Sequence, residues 1–249
     1  MKLSYFEKIS PTPFYMKEVG MIRKHTLKEI SLITYEVYQI FLSIFLMTPY
    51  SFYESKKMLS DYLDLSLDER SCLSIFDLLL SDHNYRDLML GAIDFFFIEA
   101  PNYNEKNKTI VLQDDQNHIS GFINSENWES ICDAISQLNN VEKEIDSSMI
   151  KSKKALKILE KIQKGRKRKE KSSTSNPDLD IGNIVSVLAS YTPLNYITIW
   201  DITVYQLWDM FERFRISEIY GVKKINTSVW GDKKNQFDIW QRTKLINQS

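Results

Sequence analysis

Three histidines, His25, His83 and His118, are the side chains in this chain best suited to proton transfer or metal ligation. None has a second His or a Cys at ligand spacing. A zinc site would have to be assembled by tertiary contacts alone, and surface or hairpin histidines are the reading the sequence favours. The run Asn176-x-Asp178-x-Asp180 begins like a calcium loop, in which alternating oxygens converge on one ion. The pattern then fails: Ile181 stands where the loop needs glycine and Val187 where it needs a bidentate glutamate, so Asp180 reads as a helix N-cap. Asp61, Asp64 and Asp68 could pair for acid–base work, but acids near helix starts on a wet face are far commoner. No glycine pair has the spacing of a phosphate loop, and Gly165 in QKGRKRK lacks both the upstream glycine and the following Ser/Thr. Cys72 and Cys132 stand sixty positions apart and read as two buried thiols in a reducing compartment. No catalytic constellation, cofactor or metal is expected, and a small hydrolase has no motif behind it.

The 249 residues, 43% apolar and 26% charged with only 7 glycines, suit a mainly helical protein whose core needs no staple. Charge divides the chain into three segments. Residues 1–150 hold 13 basic and 23 acidic residues, residues 151–171 hold 11 and 2, and residues 172–249 hold 8 of each. The N-terminus carries charge and proline where a secretory signal needs an unbroken apolar run. The most apolar stretch, Ile40 to Met47, is far shorter than the ~20 residues of a membrane span and reads as a buried helix.

Helical spacing predicts one helix over Leu27–Met47, ending before Pro49. A capping box at Ser66 and Glu69 predicts another over Leu67–Leu80, and a third follows from Asp82 to about Ile93. The runs Phe95–Ile98, Thr109–Leu112 and His118–Ile123 read as three short strands, covered by a helix capped at Ser125 that buries Trp128, Ile131, Cys132 and Ile135. The fold class is therefore mainly α with a small antiparallel β insert (α+β). Residues 1–150 form a helical domain with the insert near 94–123, residues 151–177 a basic helix and flexible linker, and residues 178–249 an aromatic-rich helical bundle.

In the basic block, Lys164, Arg166, Lys167, Arg168 and Lys169 could neutralise phosphates or meet an acidic partner. The block holds no aromatic residue for base stacking, which favours a solvated linker helix over a nucleic-acid site. Aromatic residues concentrate later. A short helix over Leu179–Ala189 precedes a capping-box pattern at Thr198–Asp201 that would start a long helix to about Ile219. On it Val204, Leu207, Trp208, Phe211 and Phe214 share one face, while Ile202, Tyr205 and Met210 point away. The apolar surface thus wraps past the ~100° of a helix lying on one core. Burial by flanking helices is one explanation. Docking of another protein is the second, with Trp200, Ile202, Tyr205, Trp208, Trp230 and Trp240 as contacts, because Trp and Tyr concentrate in docking surfaces.

The stretches ITIWDITVYQLWDMFERF (197–214), SVWGDKKNQFDIWQRTKLI (228–246) and ISPTPFYMKEVGMIRKHTLKEI (9–30) resemble a phage protein family of Gram-positive hosts. That family is associated with the tail gene block and is similar to tail assembly chaperones, which coat the tape-measure protein while the tail tube polymerises. The basic block departs from the family pattern. The resemblance implies a non-enzymatic assembly factor in the host cytoplasm, with a tape-measure or tube protein as partner, no membrane, and self-association permitted. The alternative is a nucleic-acid-binding phage protein acting through residues 151–171.

Overall fold

Five helix starts in this protein carry a reciprocal cap, in which a Ser or Thr oxygen accepts from the backbone three residues on and that residue's side chain returns the bond. A computed structural model describes residues 1–143 and 180–231, and the calls on 151–177 and on Trp240 fall outside these residues. In chain order, α1 (Tyr5–Ile9) precedes a hairpin of β1 (Phe14–Met16) and β2 (Gly20–Ile22). Then come α2 (Leu27–Ile33), α3 (Tyr35–Leu46), α4 (Pro49–Ser55), α5 (Leu59–Asp64), α6 (Leu67–Ser71), α7 (Ile75–Ser81) and α8 (His83–Phe96). The antiparallel sheet β3 (Ala100–Asn104), β4 (Thr109–Gln113) and β5 (Ile119–Ile123) leads into α9 (Trp128–Leu138). Last come α10 (Ile181–Tyr191), a 3-10 turn (Thr198–Asp201) and α11 (Val204–Trp230). The expected α+β class is what the structure shows.

Several boundaries differ from the expectation, each for a local reason. The helix over Leu27–Met47 is broken at Thr34, whose φ of 72° ends α2 while its hydroxyl caps the start of α3. The two axes meet at 101°, so Leu27 and Ile30 as well as Tyr38, Leu42 and Phe45 reach the core. The stretch 40–47 lies in and just after α3, with Leu42, Ile44 and Phe45 buried as expected. No single described helix is long and apolar enough to cross a membrane. The helix over Leu67–Leu80 is interrupted because Ser74 accepts from the Asp77 amide at 3.2 Å and starts α7 anew.

Phe95 and Phe96 belong to α8, not to a strand. Met89, Ala92, Ile93 and Phe96 recur at helical spacing and all are buried, so helical period outweighs the β propensity of the phenylalanine run. The first strand of the sheet lies five residues later than expected. The helix α9 starts from Asn127 rather than Ser125, with the Asn124 side chain accepting from the Glu126 and Asn127 amides. It packs against α3 more than over the sheet, with Trp128 stacked on Phe45 at 5.3 Å between ring centres. At Gly121 in β5 an added Cβ would meet the Val19 carbonyl at 2.2 Å, so the absence of a side chain lets the first hairpin lie against the sheet.

One continuous hydrophobic core runs from Leu3 to Leu207. Ile184, Val185, Leu188, Ile199, Val204 and Leu207 join residues of the first segment in it. Backbone bonds tie the same seam: Leu27 donates to the Ile202 carbonyl at 3.0 Å and Val204 to the His25 carbonyl at 3.4 Å.

Candidate docking surface on the last helix

The sequence that builds the candidate surface begins at the 3-10 turn. The Asn195 side chain accepts from the Ile197 and Thr198 amides at 2.8 and 3.0 Å and shapes that turn. Thr198 is therefore not the start of the long helix. The cap is Thr203, which accepts from the Gln206 amide while Gln206 returns a bond to the Thr203 amide at 2.9 Å. From there α11 runs 27 residues, a length of about 40 Å at helical rise.

Only the first turns of α11 are enclosed. Val204, Tyr205, Leu207 and Asp209 are buried, Trp208, Phe211 and Phe214 half-buried. The expected assignment of faces is therefore corrected. Tyr205 is packed inside, beneath α1, with the Lys8 ammonium 5.4 Å from its ring centre, while Trp208 is the more open of the two. Helix α1 is the reason. Gln206 donates to the Ile9 carbonyl at 2.8 Å, Tyr5 donates to Asp209 at 3.0 Å, and Arg213 donates to Asp209 at 2.7 Å and to the Tyr5 hydroxyl at 2.8 Å. Burial raises the Tyr5 pKa, the Asp209 carboxylate raises that of Arg213, and burial lowers that of Lys8.

Beside this network lies a cavity of about 300 Å³ lined by Ile9, Leu194, Ile202, Gln206, Asp209 and Met210. Ile202 and Met210, expected to face away from the main stripe, do so and form its wall. Tyr196, held by hydrogen bonds to Ser186 and Ser190, fixes the adjoining loop, from which Ile197 and Trp200 reach solvent.

Beyond Ile216 the helix leaves the body. Ile219, Val222, Ile225, Val229 and Trp230 are between 48% and 73% exposed. Val222, Ile225 and Val229 continue the face on which Val204, Leu207, Trp208, Phe211 and Phe214 meet the body, since 3.6-residue periodicity carries that face along the helix. Tyr191 at the end of α10 reaches the face only at Phe214, with ring centres 5.9 Å apart. Of the expected contacts, Trp200, Ile202 and Trp230 lie at accessible positions, Trp208 is half-buried and Tyr205 is enclosed. The distal residues Ile219 to Val229 were not singled out from sequence, although their spacing of three and four was the signal. Ile9 and Leu194 gave no local signal.

The residues considered for chemistry stay apart. His83 pairs with Asp87 at 3.0 Å and His118 with Asp114 at 3.4 Å, both on the surface. His25, expected at the surface, is instead buried, with Nε2 2.7 Å from the Phe95 carbonyl and its ring stacked on Phe95 at 3.7 Å. Among the described residues no three His, Cys, Asp or Glu converge as a metal site. Asp61, Asp64 and Asp68 are exposed. Asp180 occupies the N-cap position of α10 with no side-chain cap bond. Cys132 is buried and its thiol pKa is pushed up by burial, whereas Cys72 is exposed, contrary to the expectation of two buried thiols.

Residues 167–244 match the family model described as YomV second domain, which belongs to a phage-type (prophage) protein family. That match supports a phage protein. It contains α10, the 3-10 turn and the whole of α11, so the candidate surface lies inside the matched domain. No curated protein and no solved structure matches the chain.

Proposed function

We propose that this is a non-enzymatic phage or prophage tail assembly factor that acts as a chaperone for an elongated helical partner, such as a tape-measure protein. The observation that carries the reading is the apolar face of α11, which continues past the body for roughly three turns through Val222, Ile225 and Val229. Helices laid in apolar grooves are read through anchors at such spacing. A contiguous exposed patch of this kind marks a protein contact more often than idle surface. The groove of Ile9, Leu194, Ile202 and Met210 and the side chain of Trp200 supply further apolar contact near the base of the same helix.

The test is affinity capture from phage-producing cells with the full chain and its Ile225→Asp variant, followed by mass spectrometry after nuclease treatment. A tail protein of long helical sequence, captured by the first and lost with the second, is expected. Capture of nucleic acid that depends on Lys164, Arg166, Lys167, Arg168 and Lys169, with no tail protein, would replace this reading by the nucleic-acid one.

A further inference from the structure

The chemistry of the occupant follows from what borders the stripe. Between Arg215 and Gly231 there are three basic residues, Arg215, Lys223 and Lys224, against one acid, Glu218. Arg215 is engaged by Glu212, 2.5 Å away, which leaves the basic character of the distal turns with the consecutive pair Lys223 and Lys224. At 100° per residue Lys223 falls beside Ile219 and Trp230, at one border of the apolar face, with Lys224 further round. The matched domain as a whole holds 12 basic and 9 acidic residues, whereas residues 1–150 hold 13 and 23, so the sign reverses where the stripe is.

We propose that the stripe receives an acidic amphipathic helix, with apolar residues three and four apart and Asp or Glu along the flank that meets Lys223 and Lys224. This rests on the docking reading above. A second copy of α11 fits less well. Parallel pairing sets Glu218 against Glu218 and Lys223 against Lys223, and antiparallel pairing centred between Val222 and Ile225 brings the four lysines of both copies to the crossing. Like charges oppose in both arrangements, and such juxtaposition disfavours a partner.

The probe is a pair of labelled synthetic helical peptides with one apolar pattern, flanked by Glu in one and by Lys in the other. Each is titrated against the full-length protein by fluorescence anisotropy at low and at moderate salt. The Glu-flanked peptide is expected to bind about tenfold or more tightly than its counterpart, with the gap narrowing as salt screens the flank. The surface variant Lys223→Glu/Lys224→Glu, checked for folding by circular dichroism, is expected to reverse the preference, and Ile225→Asp to abolish binding of both. Equal affinity for the two peptides, still lost with Ile225→Asp, keeps the docking face and overturns the acidic occupant. Binding of the Glu-flanked peptide unaffected by Ile225→Asp overturns both. Concentration-dependent dimerisation in sedimentation, removed by Ile225→Asp, would assign the face to a second copy and overturn the proposal.

Discussion

The hydroxyl of Tyr5 donates to the buried carboxylate of Asp209 at 3.0 Å, joining the first helix to the last across 204 residues of sequence. Arg213 closes the triangle by donating to both. Tyr5→Phe is expected to cost about 1 kcal/mol, the net worth of one hydrogen bond. Asp209→Ala strands Arg213 and is expected to cost more, though less than the ~3–5 kcal/mol of a fully buried pair, because Arg213 is 36% exposed. Urea denaturation of both variants and of the double variant should show non-additivity; strictly additive losses would mean the three groups do not act as one network.

Tyr205 and Trp208 are adjacent on α11's surface lattice but differ in burial, and their truncations should differ accordingly. Tyr205→Ala removes a ring that is 4% exposed and is expected to lower stability by ~3–5 kcal/mol, as core aromatic truncations do. Trp208→Ala, at a half-buried position, should cost clearly less. Thermal melts decide between them, and a larger loss at Trp208 would contradict the packing of α1 over Tyr205.

His25 gives a pH signature. Burial lowers its pKa from the ordinary 6.5, opposed by the Phe95 carbonyl and the Glu29 carboxylate and assisted by Arg23. The unfolded chain therefore takes up this proton first, so the contribution is intact above pH 6.5 and declines as pH falls through 6.5 toward the lower folded value. Glu29, whose own pKa is lowered, acts in a separate window below its ordinary 4.5. Urea midpoints of the protein and of His25→Gln, followed downward from neutral pH, should diverge in slope near 6.5. Parallel curves would show that His25 does not titrate differently in the two states.

Because α10 and α11 share one core with the first segment, breaking the chain between them should not separate the pieces. A site-specific protease sequence inserted between Ser172 and Asn176 and then cut is expected to leave two fragments that co-elute in gel filtration under native conditions. Separate elution would mean that the Leu27–Ile202 and His25–Val204 seam contributes little.

Gly121→Ala tests the approach of the first hairpin to the sheet. The added methyl meets the Val19 carbonyl, a backbone atom that cannot swing aside, so a loss of ~1–3 kcal/mol is expected from overpacking. An unchanged melting temperature would show that the hairpin can move away freely.

Sequence alone determined the features that depend on neighbours in the chain. The capping box at Ser66, the three-stranded count of the β insert, the amphipathic helix bearing Trp128 and the apolar stripe through Val204, Leu207, Phe211 and Phe214 all follow from residues within a few positions of one another. Helix breaks at Thr34 and Ser74 were less legible, since a single Thr or Ser inside a periodic run caps a new helix only if the flanking turns find separate places in the core. Tertiary structure decided which face of α11 is covered. Tyr205 and Val222 carry the same helical signal, but α1 returns from the other end of the chain to enclose the first, and nothing in the described fold reaches the second. Burial is a property of what packs against a residue, and for α11 that neighbour lies about two hundred positions away, where no local period can announce it.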